Sequence, residues 1–131
     1  SHLSLLDQNM LIAGSSALDR NVSNFALESS LSGFEFLSCI PGMIGGGIRM
    51  NSGCYGEDIS KILVSVQVMD LSGKIRVIYS SDIKFSYRKC DLDSNLIFIS
   101  ATFKGQNENS ENIRKKIDSY IEQKKKISHR K

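Results

Sequence analysis

The sequence has no tryptophan, one proline, two histidines and three cysteines among 131 residues. His2 and His129 stand at the two ends, and Cys39, Cys54 and Cys90 are far apart with no Cys-x-x-Cys pair and no histidine nearby, so no metal site is expected. Reduced thiols in a cytoplasm are the plain reading of such cysteines. No run approaches the roughly 18 apolar residues of a membrane span. The N-terminus lacks the basic-then-apolar order of a signal peptide, and a soluble, non-exported, cytoplasmic protein is expected. Positive charge is in small excess, +3, and gathers after Lys104 in Lys115, Lys116, Lys124, Lys125, Lys126, Arg130 and Lys131. That run reads as a solvated helix face; Tyr120 is the one aromatic within it and no nucleic-acid module is recognisable, so nucleic acid is not expected as a partner.

What is present is one domain's worth of core. Hydrophobic residues make up 40% of the chain, enough to bury one ordinary core and too few residues for two. Ser1 and His2 are read as a remnant of an expression tag and set aside, leaving 3–131 as a single domain. Leu11-Ile12-Ala13 predicts a short strand. Ser15 and Ser16 follow as capping residues for a helix whose inner face is Leu18, Val22, Phe25 and Ala26, with Asp19 three residues after Ser16 as in a capping box. Alternating Ile62, Val64, Val66 and Val68, the turn Asp70-Leu71-Ser72-Gly73, and alternating Ile75, Val77 and Tyr79 predict a β-hairpin. A third strand is predicted over 96–103, with Ile97, Ile99, Ala101 and Phe103 on one face. A final helix runs from about 111 to 126, with Ser110 as N-cap and Ile113, Ile117, Tyr120 and Ile121 as its apolar stripe. The fold class is α+β, a small antiparallel sheet flanked by helices.

The segment from Gly33 to Gly56 breaks this pattern. Seven of the ten glycines fall in it, around Pro41, a density that predicts a loop rather than a helix. Cys39-Ile40-Pro41-Gly42-Met43-Ile44-Gly45-Gly46-Gly47 offers a backbone without Cβ atoms that a flat or phosphorylated ligand can touch, with its N–H groups presented directly. It is neither a Walker loop, lacking Gly-Lys-Ser/Thr, nor the Gly-x-Gly-x-x-Gly dinucleotide fingerprint. Met50-Asn51-Ser52-Gly53-Cys54-Tyr55-Gly56 and Phe85-Ser86-Tyr87-Arg88 follow.

In this order, these three pieces resemble the bacterial UDP-N-acetylenolpyruvoylglucosamine reductases, flavoenzymes with the vanillyl-alcohol-oxidase type of FAD-binding fold. The matching positions are Ile40-Pro41-Gly42, Gly45-Gly46, Met50-Asn51, Gly53, Tyr55-Gly56 and Tyr87-Arg88. Gly33-Phe34-Glu35-Phe36-Leu37 and Ala101-Thr102-Phe103-Lys104 extend the likeness over nearly the whole chain. Cys39, Gly47 and Cys90 depart from it, standing where glycine, alanine and serine are common.

The resemblance implies the second FAD-binding subdomain of such an enzyme. FAD would be its cofactor, NADPH the hydride donor and a UDP-sugar enolpyruvyl ether the substrate in peptidoglycan synthesis. An upstream diphosphate-binding subdomain and a downstream substrate domain would be partners, and the segment alone is expected to be inactive. It implies Ile40, Pro41, Gly42, Gly45, Gly46, Gly47, Asn51 and Gly53 as flavin contacts and Tyr87 as a substrate neighbour. It also implies Arg88 as the catalytic residue, its planar, always-ionised guanidinium suited to a carboxylate. Asn51 as a turn cap and Arg88 as a surface partner of Asp91 or Asp93 are the structural alternatives. A non-enzymatic interaction or ligand-binding module of the same fold is the functional one.

Overall fold

The computed structural model describes residues 2–129. Strands β1 (Leu3–Leu5) and β2 (Met10–Gly14) pair antiparallel, and the Gly14 N–H donates to the His2 carbonyl at 2.7 Å, so His2 takes part in the ladder. Helix α1 (Asp19–Glu28) follows β2 as expected, but the anticipated Ser16 cap does not form. The helix is capped at Leu18 with no side-chain bond, and Asp19 turns inward with Val22 and Ala26 to a site 1% exposed. Strand β3 (Leu31–Ser32) leads into a 3-10 turn at Glu35–Cys39. There the buried Glu35 accepts from Ser32 Oγ and the Gly33 N–H, each at 2.7 Å, which satisfies a carboxylate the core would otherwise penalise.

The glycine run is not a loop. Residues Ile44–Arg49 form the short helix α2, with Gly45, Gly46 and Gly47 inside it. Glycine's propensity cost of about 1 kcal/mol per residue is outweighed by packing, which drives Ile44 and Ile48 fully into the core. Beyond it, β4 (Gly53–Cys54) and β5 (Glu57–Asp58) form a small hairpin whose turn residues Tyr55 and Gly56 both have positive φ, 52° and 82°, as a type I′ turn requires.

Strands β6 (Leu63–Met69) and β7 (Ile75–Tyr79) are the expected hairpin, closed by Asp70 Oδ1, which accepts from the Ser72 and Lys74 N–H groups. A second small hairpin, β8 (Phe85–Ser86) and β9 (Lys89–Cys90), precedes β10 (Ile97–Lys104). The chain ends with β11 (Gln106–Asn107), paired to β3, and helix α3 (Ser110–His129). Asn109, not Ser110, caps α3: its Oδ1 accepts from the Glu111 N–H at 2.7 Å, because Ser110 already lies within the helix.

The main sheet has five antiparallel strands in the order β1-β2-β10-β6-β7, one more, β1, than the sequence pattern disclosed. Ala101 and Phe103 of β10 are buried as expected, whereas Ile97 is half exposed. The register with β6 slips between Phe98 and Ser100, and this bulge reverses the in-out phase. Phe34 meets Phe103 edge to face, centroids 6.1 Å apart, inside a core that joins α1, α2 and one face of the sheet. Each such buried ring stabilises the fold by about 1.5–3 kcal/mol. In α3, Ile113, Ile117 and Tyr120 are buried and Ile121 lies at the margin; the helix packs on the Glu35–Cys39 turn.

Candidate functional site

Within α2 the three glycines face three ways. A β-carbon on Gly45 would come within 3.3 Å of Ser15 Cβ and its carbonyl oxygen, so Gly45 lets α2 press against the end of β2. One on Gly47 would make ordinary contacts with Ser52, Asp19 and Ile59 at 3.6–3.8 Å. One on Gly46 would meet nothing within 4 Å. Gly46 is therefore the glycine whose bare backbone faces open space; it lines a cavity of about 380 Å³ together with Pro41, Gly42, Met50, Gly53, Cys54 and Arg88, and also a hollow of about 280 Å³ together with Ser15, Met43, Gly45, Arg49 and Phe98.

Part of the expected array of backbone amides is engaged within the protein. The N–H groups of Ile44, Gly45, Gly47, Met50 and Ser52 all donate to backbone carbonyls at 2.8–3.1 Å. Folding the run as a helix uses them internally. The glycines permit close approach to the backbone; these five amides are not available as donors.

Arg88 reaches the cavity from the β8–β9 hairpin. Its two-residue turn is Tyr87-Arg88, and Arg88 sits at φ 56°, where glycine or asparagine is usual. Arg88 Nη2 donates to the Gly53 carbonyl at 3.0 Å, and its guanidinium lies 4.7 Å from the Tyr87 ring centroid. Neither Asp91 nor Asp93 pairs with it: Asp91 Oδ1 accepts from the Lys84 N–H and Asp93 Oδ1 from the Asn95 N–H. Asn51, itself at φ 43° and 3% exposed, ties this hairpin down. Its Nδ2 donates to the Ser86 carbonyl at 3.1 Å and to Asp58 Oδ2 at 3.3 Å, while its Oδ1 accepts from the Ser60 N–H at 3.0 Å. Asn51, Tyr55 and Arg88 are three of the four non-glycine residues with positive φ among the described residues. Backbone strain of that kind costs on the order of 1–3 kcal/mol per residue and gathers where geometry is over-determined by its surroundings.

The electrostatics of the cavity are set by burial. Asp19 lines it from α1, 1% exposed, and burial lifts its carboxyl from 3.8 to about 7. Among the described residues nothing hydrogen-bonds its Oδ1. Burial also pushes the Cys54 thiol up to about 11, so Cys54 is a neutral, poorly nucleophilic wall residue. A larger hollow of about 550 Å³ lies where α1 ends and α3 begins, lined by Leu27, Glu28, Arg114 and Lys115 among others; it contains none of the motif residues.

No family model matches the chain. Among curated proteins it is 46% identical over 117 residues to the UDP-N-acetylenolpyruvoylglucosamine reductase of Pelagibacter ubique, covering 89% of this chain and 39% of that protein. It is 42% identical over 113 residues to the protein of the same name from Rickettsia canadensis, covering 86% and 38%. The chain belongs to the UDP-N-acetylenolpyruvoylglucosamine reductase family, as one segment of it. The crystal structure of the Thermus caldophilus UDP-N-acetylenolpyruvylglucosamine reductase aligns with a TM-score of 0.81 at 26% identity, covering 87% of this chain and 42% of that one. The chain thus spans about two fifths of the length of the relatives it matches.

Of the residues singled out by sequence, the fold brings Ile40, Pro41, Gly42, Gly46, Gly47, Gly53 and Arg88 to one cavity. Gly45, Asn51 and Tyr87 are not among its lining residues. Gly45 packs on Ser15, Asn51 bridges two hairpins, and Tyr87 stands 85% exposed beside Arg88. Gly53 lines the cavity, but its lack of a side chain answers to packing: a β-carbon there would run into the Glu57 carbonyl and lie 2.7 Å from Asp58 Cβ. Two residues of consequence were not singled out by sequence. Arg49 donates to the carbonyls of Leu92, Asp93 and Leu96 and stacks on Phe98 at 4.4 Å, holding the 92–96 loop to α2. Asp19 was read as part of a cap, although its spacing to Val22, Ser23 and Ala26 already placed a carboxylate on the inner face of α1.

No helix among the described residues is long and apolar enough to cross a membrane, and no cluster of three or more potential metal ligands occurs among them. Cys39, Cys54 and Cys90 are free thiols.

Proposed function

We propose that this chain is the flavin-ring segment of an FAD-dependent, NADPH-consuming reductase. That enzyme would convert UDP-N-acetylglucosamine enolpyruvate to UDP-N-acetylmuramate in peptidoglycan precursor synthesis in the cytoplasm, with Arg88 as its catalytic contribution. The observation that carries the proposal is the meeting of Arg88 and the unobstructed Gly46 backbone on one cavity, from hairpin and helix 42 residues apart in sequence.

The residues present fit a flavin in two respects. Gly46 leaves a backbone surface that a flat ring can lie against, and the buried Asp19 carboxyl retains hydrogen-bonding capacity at the cavity wall. FAD, when bound, would supply hydride transfer, chemistry no side chain of this segment provides. The segment's own work is positioning and charge. Ile40, Pro41, Gly42, Gly46 and Gly47 shape the wall, and Asn51 holds the β8–β9 hairpin so that Arg88 projects over it. Reduction of an enolpyruvyl ether develops negative charge next to the substrate carboxylate. A guanidinium held rigidly there by a left-handed backbone and the Gly53 carbonyl stabilises that charge without reorganising.

In the complete enzyme Arg88→Ala is expected to lower kcat about a hundredfold, a barrier increase of about 2.7 kcal/mol. Lysine should recover only part of this, since it lacks the bidentate fork. Turnover near the wild-type value in Arg88→Ala would overturn the assignment. The segment by itself holds one side of the site and is expected to bind FAD weakly and to turn over nothing; one equivalent of flavin co-purifying with it would contradict this.

A further inference from the structure

Asp19 is buried on the inner face of α1, and the functions assigned above leave its hydrogen-bonding capacity unused. It is 1% exposed, its Oδ1 has no hydrogen-bond partner among the described residues, and it borders the same cavity as Gly46 and Arg88. A β-carbon on Gly47 would stand 3.7 Å from Oδ1, and one on Gly42 3.9 Å from Oδ2. The carboxyl is thus bracketed by two glycines of the cavity wall. A buried polar atom without a partner destabilises a fold, and such an atom beside a cavity is accounted for when a ligand completes its hydrogen bonds.

We propose that Asp19 is a ligand-binding residue of this site, hydrogen-bonding the polar edge of the planar ring that lies against Gly46. The inference rests on the flavin reading above and deepens it. Five amides of the glycine segment are engaged within the protein, so Asp19 supplies a polar contact that those amides do not. Burial keeps the carboxyl protonated to about pH 7. A protonated carboxyl offers an O–H donor beside a carbonyl acceptor, which complements the N–H and C=O of an imide edge; an ionised carboxylate offers acceptors alone. The other titratable groups on the cavity are Arg88, Cys39 and Cys54. Arg88 is turned to the Gly53 carbonyl, and Cys54 is held neutral by burial. On α1 itself Ser23, one turn on, is likewise buried with an unpartnered Oγ and carries no charge.

The test compares Asp19→Leu and Asp19→Asn with the wild type in the complete enzyme. It reads the FAD dissociation constant by flavin fluorescence from about pH 5.5 to 8.5, and the melting temperature of the apoprotein. Asp19→Leu is expected to weaken FAD at least about tenfold, the scale of one hydrogen bond, while raising the apoprotein's melting temperature because the orphaned group is gone. Asp19→Asn, whose amide also sets a donor beside an acceptor, should hold FAD within about threefold of wild type at pH 6. It should also abolish a pH dependence in which wild-type affinity falls as pH rises through 7. Unchanged FAD affinity in Asp19→Leu, or a wild-type affinity that is flat with pH, overturns the proposal. A wild-type enzyme that takes up no FAD at any pH defeats instead the flavin reading on which it rests.

Discussion

Replacing Gly46 by alanine sets folding against the ligand binding proposed for this site, and the proposal gives the two opposite signs. The added methyl meets no atom within 4 Å, and Gly46 has no positive φ to defend. Alanine in a helix is favoured over glycine by about 0.5–1 kcal/mol, and in so short a helix the lower figure applies. In the complete enzyme, of which this chain is about two fifths, that raises the melting temperature by about 1 °C. The same methyl projects about 1.5 Å from the backbone into that open space, and a flat ring lying against Gly46 must back away by a similar distance. Since a gap of ~0.5–1 Å already forfeits a quarter to a half of each dispersion contact, at least a tenfold loss of FAD affinity is expected. Fluorescence titration of the complete apoenzyme with FAD, alongside thermal melts, reads both effects. Gly45→Ala is the control, because its β-carbon would come within 3.3 Å of Ser15, so alanine's helix-propensity gain is set against moving Ser15 and the melting temperature should rise less than in Gly46→Ala. A Gly46→Ala enzyme that melts higher and binds FAD like the wild type would refute the idea that a ring seats on that glycine.

Gly53→Ala should destabilise the fold by about 2–3 kcal/mol in denaturant unfolding, since the new methyl has only the Glu57 carbonyl and Asp58 to displace and both are held in the β4–β5 ladder. Arg49→Ala removes the donors to three loop carbonyls and a ring stack, for a loss of about 2–4 kcal/mol by the same measurement; Arg49→Lys should restore little of it, lacking the guanidinium's geometry. Asp19 makes apoprotein stability depend on pH. Its carboxyl titrates at 3.8 when unfolded and about 7 when folded, so the folded state holds the proton more tightly. The group's contribution is complete below about pH 4, is lost as pH rises towards 7, and stays lost above. Asp19→Asn should flatten that part of the profile, seen as a larger gain over wild type at pH 8 than at pH 5.

The relation of the chain to its relatives was legible before any coordinates, because it rests on ordered short motifs from Ile40 to Arg88. The β6–β7 hairpin was legible for a different reason: alternation and an Asp-Leu-Ser-Gly turn are local signals, read within a dozen residues. Strand β1 escaped notice because three residues carry too little periodicity. The bulge at Ile99 escaped because it belongs to the pairing with β6, not to the strand's own sequence.

By itself the sequence determined that the glycines around Pro41 and the arginine of the Tyr-Arg pair are the residues to watch, since a bare backbone and a permanent planar cation have few substitutes. Only the tertiary structure decided which glycine of the run faces open space, that the run is helical with several of its amides engaged, and that Asn51 bonds to the neighbouring hairpins. It alone also showed that Asp19 borders the cavity. The physical reason is distance along the chain. Gly45 is explained by Ser15, Gly47 in part by Asp19, and Asn51 by Ser86, and such partners meet only when the core of α1, α2 and the sheet closes.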